Sequence, residues 1–146
     1  MNASLFLRIA AVLTFLYFAG HTSGIPWTPA VGPQEVPVLD AMKGHSFDVV
    51  GSARSYWDFY YGFGITISAL LLGMAVVLWQ VGSLARTDAM RVRPMVATLF
   101  VVFVIDAFLA WKYFFIIPLV NAVAICVCLA VAYFLAVRGN PSPEGV

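Results

Sequence analysis

Charged side chains are scarce in this chain: Asp, Glu, Lys and Arg make up 10% of its 146 residues, against 62% hydrophobic. A water-soluble domain carries about 25% charge, so the scarcity argues for a single integral membrane domain over residues 1–146. Eight basic residues against seven acidic ones leave a net charge of +1. No run of Lys or Arg is long enough to follow a phosphate backbone, so no nucleic-acid partner is expected. Only two cysteines occur. Cys126 and Cys128 stand two apart in an apolar run, on nearly opposite faces of a helix at about 100° per residue, which suits packing and not a disulfide or a shared metal. No metal-ligand spacing, Gly-rich phosphate loop or Ser/His/Asp order appears. No catalytic residue, metal site or cofactor is therefore named. Of the two histidines, His21 ends an apolar run and His45 lies in a loop, which disfavours a bis-histidine haem.

What the chain does have is long apolar runs. Leu5 to Gly20 is interrupted by Arg8 and Thr14 alone and continues to Ser23, giving a first span near 4–23. No small-x-small cleavage site follows, so it is read as a permanent helix and not a signal peptide. Arg8, near its edge, is expected to snorkel to the headgroups. A second span, 57–82, opens on Trp57, Tyr60 and Tyr61 as an interfacial aromatic belt. From Pro94 to Val137 the chain is apolar for a length of about 66 Å at 1.5 Å per residue, twice a hydrocarbon core of roughly 30 Å. It must fold back, and Trp111 to Pro118 is the expected break, giving spans 94–114 and 118–137. Loop 24–56 holds Pro26, Pro29, Gly32, Pro33 and Pro37, then Val38, Leu39 and Met42, which predict a short amphipathic helix ended by Gly44. Residues 139–146, rich in Gly and Pro, are expected to be disordered. The predicted fold is all-α, a four-helix transmembrane bundle with one long outer loop carrying a short helix.

Four spans put both termini on one side, with Arg8, Arg86, Arg91, Arg93 and Arg138. Across the membrane lie Lys43, Arg54 and Lys112 with Glu35, Asp40, Asp48 and Asp58. The positive-inside rule then makes the termini cytoplasmic, in an inner membrane, with loop 24–56 outside.

Two constellations stand out. Arg54 and Asp58, four apart, predict an ion pair on successive helical turns beside Tyr61 and Trp57. Around the wheel from Asp58, the small residues Gly62, Thr66, Ala69 and Gly73, with Gln80, fall within about 80° and predict the packing face, with Trp57, Tyr60, Ile67, Leu71 and Leu78 toward lipid. Asp106 lies midway along the third span, where a carboxylate costs roughly 2.5–3.5 kcal/mol. It should face protein, with Thr66, Ser68 or Thr14 as partner, while Lys112 snorkels away. His21, at the depth of Asp58, completes the group. The ligand-binding candidates are His21, Arg54, Trp57, Asp58, Tyr61 and Asp106.

The run from Arg8 through Val12-Leu13-Thr14-Phe15-Leu16-Tyr17-Phe18-Ala19-Gly20, with Ala69-Leu-Leu-Leu-Gly73 and Arg86, resembles the DoxX-like group of small four-helix bacterial membrane proteins. His21-Thr-Ser-Gly24 and Arg54 to Gly64 lie outside that pattern and are similar to an uncharacterised bacterial membrane family. The first resemblance implies four helices and association with quinone-linked redox complexes. Neither supplies a catalytic residue.

Beyond the lipid bilayer itself, the leading expectation is an outer-leaflet pocket for a lipophilic molecule, quinone or lipid-like. The alternatives are a non-catalytic subunit of a larger membrane complex or a homo-oligomer, a membrane-embedded isomerase or reductase using Asp106 or Asp58, and a proton conductor.

Overall fold

A computed structural model describes residues 2–24 and 30–138, Arg138 by its backbone alone. Pro26, Pro29 and the tail 139–146 lie outside the described residues. In chain order the elements are α1 (Ala3–Gly24), α2 (Glu35–Gly44), β1 (Ser46–Val49), β2 (Ser52–Ser55), α3 (Tyr56–Leu84), α4 (Arg93–Tyr113) and α5 (Ile116–Arg138). Four of these, α1, α3, α4 and α5, are long and apolar enough to cross a membrane. The fold is the expected helical one, with the short helix between the first two spans.

Local chemistry sets the boundaries. Pro94 falls in the first turn of α4, where the missing N–H belongs to a helix end that has no intrahelical acceptor. Phe114 then turns extended, its N–H donating to the Ala110 carbonyl. The chain reverses at once into α5, whose first turn accommodates Pro118 for the same reason. At the end of α2, Gly44 gives way to an extended His45 whose N–H returns to Ala41.

The β-hairpin is an element that the sequence reading lacks. Phe47 pairs with Arg54 and Val49 with Ser52. The two-residue turn has positive φ at both Val50 (52°) and Gly51 (79°), the mirror-image geometry that matches strand twist. The Asp48 carboxylate accepts from Gly51 N–H at 3.0 Å and locks the turn. Val50 is β-branched in a left-handed conformation and almost wholly exposed, an outlier for its residue type.

The residues group into two compact units. The first comprises residues up to Tyr17 and from Leu71 onward. Its core brings together Leu7, Ala10 and Ala11 of α1, Leu78 and Val81 of α3, Val96, Leu99 and Phe103 of α4, and Ile125, Leu129, Ala132 and Ala136 of α5. Gly82 sets the closest approach: a Cβ there would lie 3.3 Å from both Leu7 Cβ and Arg8 Cγ. Ser4 Oγ donates to the Gly82 carbonyl at 2.5 Å. Small residues opposing Leu7 let the α1 and α3 backbones pack closely, the usual device in lipid.

The second unit, Phe18–Leu70, holds the last two turns of α1, α2, the hairpin and the first half of α3. Gly64 and Ser68 are buried there.

The packing face of α3 differs from the expected one, although Tyr60 and Ile67, assigned to lipid, are exposed as expected. Gly62, Thr66, Ala69, Gly73 and Gln80 are exposed, while Leu71 and Leu78, assigned to lipid, are buried. The buried stripe is Gly64, Ser68, Leu71, Ala75, Leu78 and Gly82, small and large residues alternating at three- and four-residue steps. Large side chains filling the spaces beside small ones pack more surface than small residues alone.

Candidate functional site

At the start of α3, Ser55 and Asp58 form a reciprocal cap. The Asp58 carboxylate accepts from Ser55 N–H at 2.7 Å and from its hydroxyl at 3.0 Å, and Asp58 N–H donates to Ser55 Oγ at 3.2 Å. This is a capping box with Asp at the third helical position. Asp58 is exposed, not turned inward. The expected Arg54–Asp58 ion pair is not found among the described residues. Arg54 lies in β2, one residue before the helix cap, so the four-residue spacing does not place the two side chains on successive turns. Arg54 instead donates to the neighbouring Ala53 carbonyl at 2.8 Å.

Trp57 sits among Tyr60 (ring centroids 5.6 Å apart), Tyr61 (6.4 Å) and the Lys43 ammonium, 4.6 Å above its ring. Lys43 of α2 is thus a member of this cluster that helical periodicity on α3 alone leaves out. A separate aromatic row links His45, stacked on Tyr56 at 5.9 Å, through Phe47 to Phe59 and Phe63.

His21 does not face a carboxylate. Its Nε2 donates to the Gly64 carbonyl at 3.0 Å, which requires the proton on Nε2. The next residue, Thr22, donates from Oγ1 to Ser68 Oγ at 2.8 Å, and Ser68, one turn after Gly64, donates onward to the Gly64 carbonyl at 3.2 Å. These bonds tie the end of α1 to α3. Of the candidates, Trp57 and Tyr61 are brought into contact. His21, Arg54 and Asp58 are each engaged with the backbone or with Ser55.

Asp106 lies in the first unit. The Tyr17 phenol of α1 interacts with its carboxyl, and the Cys126 thiol of α5 is within its electrostatic reach. Its Oδ2 is buried with no hydrogen-bond partner. The partners expected from sequence are occupied elsewhere. Thr14, fully buried, donates back to Ala10 at 2.8 Å, Thr66 donates to Gly62 at 2.8 Å, and Ser68 is taken as above. Tyr17, which shares a wheel face with Thr14, is the group that reaches Asp106. Lys112 stands over its neighbour Tyr113, 5.0 Å from the ring. Among the described residues no three His, Cys, Asp or Glu side chains cluster as metal ligands.

No protein-family model, curated protein or solved structure matches this chain. Function must therefore be argued from the residues alone.

Tyr17 of α1 and Cys126 of α5 each lie within electrostatic reach of Asp106 of α4 in the apolar first unit. Chemically the group offers a hydroxyl and a carboxyl to a hydrogen-bonding partner, with one carboxyl oxygen buried. Leaving a buried polar oxygen unpaired costs about 1–3 kcal/mol, and carboxyls inside spans mark sites for ligands, protons or helix association.

Proposed function

We propose that this is a small multi-pass protein of an inner membrane, with both termini cytoplasmic, that binds a lipophilic small molecule of quinone or lipid type. The observation that carries the proposal is the buried, unpartnered Oδ2 of Asp106 beside Tyr17. A carboxyl at mid-span accepts a bond from a ligand hydroxyl or, when protonated, donates one to a ligand carbonyl. Either interaction is offered to a molecule already dissolved in the bilayer. The orientation rests on Arg8, Arg86, Arg91, Arg93 and Arg138 on the side of the termini, against three basic and four acidic residues on the opposite side.

Native mass spectrometry of protein extracted gently from its own membrane tests the binding proposal. A co-purified lipophile is expected in the wild type, with strongly reduced occupancy in Asp106→Leu and Tyr17→Phe. Unchanged occupancy in both variants would refute it. Orientation is tested separately in a Cys-free background. Gln34→Cys should react with an impermeant thiol reagent added outside, and Asp88→Cys should not.

A second proposal, a non-catalytic subunit of a larger membrane complex or a homo-oligomer, is favoured by one feature. Gly62, Thr66 and Ala69 are exposed on α3, and small residues of this kind serve close helix contacts in lipid. A stoichiometric protein partner in the same spectra, with no lipophile, would favour it.

A further inference from the structure

The end of the first unit that carries Asn2, Arg8 and Arg86 has chemistry unrelated to Asp106. A cavity of about 480 Å³ is lined there by Asn2, Ser4, Leu5, Arg8 and Arg86. Arg8 extends from the second turn of α1, and its guanidinium carbon lies 4.7 Å above the Trp79 ring. Its Nε is buried and has no hydrogen-bond partner. Arg86 follows the end of α3 and is exposed. Neither guanidinium makes an ion pair within 4.0 Å among the described residues. The acid nearest in sequence, Asp88, is engaged with the N–H of Arg91.

Two unpaired guanidiniums beside a cavity present donors in the planar fork that matches phosphate oxygens. The stack on Trp79 holds one of them in place. Trp79 also walls a second, wholly apolar groove of about 370 Å³ in the same unit, together with Val12, Phe15, Leu72 and Val76. The cationic cavity and the apolar groove therefore meet at the Arg8–Trp79 stack. That combination fits an amphiphile with an anionic head and a hydrocarbon tail.

We propose that this end of the bundle is a specific site for an anionic phospholipid, its phosphate held by Arg8 and Arg86 and an acyl chain lying in the groove beside Trp79. The site is independent of Asp106, and its failure leaves the proposal made for Asp106 untouched.

The test uses the full chain in neutral detergent, stripped of lipid. Thermal stability is followed during titration with phosphatidylglycerol, phosphatidylcholine or inorganic phosphate. Phosphatidylglycerol should raise the melting temperature saturably, and the other two should not at matched concentrations. Arg8→Gln and Arg86→Gln should each weaken the apparent affinity about tenfold, whereas Arg91→Gln, outside the cavity, should leave it unchanged. Val76→Trp, which fills the groove, should weaken phosphatidylglycerol as well. Arg86 lies outside the helices, so Arg86→Gln keeps the test decisive if Arg8→Gln fails to fold. Equal losses for Arg86→Gln and Arg91→Gln would reduce the effect to general surface charge and overturn the proposal. A response to inorganic phosphate as strong as that to phosphatidylglycerol would make the site one for free phosphate and overturn the lipid assignment.

Discussion

Removing the carboxyl of Asp106 should stabilise the fold while abolishing ligand binding. An Asp at the centre of a span costs roughly 2.5–3.5 kcal/mol on insertion scales. Hydrogen bonds between membrane helices return about 0.6 kcal/mol on average and about 1.7 kcal/mol at most. The Tyr17 interaction therefore offsets only part of the cost, and the partnerless Oδ2 contributes nothing to offset it. In delipidated protein, Asp106→Leu should raise stability by about 1–3 kcal/mol, the difference of those two quantities. Tyr17→Phe should lower it by about 0.6–1.7 kcal/mol. At roughly 2–4 °C per kcal/mol for a chain of this size, that is a fall of about 1–7 °C in detergent melting. Asp106→Asn keeps an acceptor for Tyr17 and should melt within about 2 °C of wild type. The refuting result is a large and equal loss in Asp106→Asn and Asp106→Leu. It would mean an ionised carboxylate held by a cation, contrary to the arrangement around Tyr17.

Further outcomes follow from individual contacts. Gly82→Leu should cost roughly 1–3 kcal/mol by overpacking against Leu7 and Arg8, whereas Gly62→Leu, with nothing within 4 Å of its added Cβ, should leave monomer stability unchanged in the same melting assay. Val50→Asn should relieve a left-handed conformation that costs a side chain about 1–2 kcal/mol, and amide exchange across residues 46–55 should slow accordingly. Ser55→Ala removes one half of the α3 cap and should cost about 1 kcal/mol, read as faster exchange at Trp57 and Asp58.

The spans are legible in the sequence because apolar length is set by bilayer thickness and their ends carry Pro94, Pro118 and the aromatic belt. Which face of a helix packs is less legible. A wheel anchored on Asp58 treats that carboxylate as inward, but its partner is Ser55, three residues back and off the wheel, and the face derived from it misplaces Leu71 and Leu78. The hairpin hides for a related reason. Helical spacing of Arg54 and Asp58 is satisfied on paper, while the two-residue Val50–Gly51 turn lacks the Asn or Asp that ordinarily announces such a turn. Asp106 is legible as inward-facing by cost alone. Its partner Tyr17 is not, because a phenol on an apolar helix reads equally well as packing.

The immediate reversal between α4 and α5 bears on how the chain enters the membrane. Phe114 and Phe115 alone separate the helices, a connection short enough for residues 94–137 to enter as one helical hairpin. That segment carries two charged side chains, Asp106 and Lys112, and Lys112 lies at the reversal, its ammonium over the Tyr113 ring. Asp106 stops within the hydrocarbon. Because α1 precedes α4 in the chain, insertion in chain order would place the Tyr17 hydroxyl before Asp106. The order of synthesis thus presents the hydrogen-bonding group before the carboxyl that needs it.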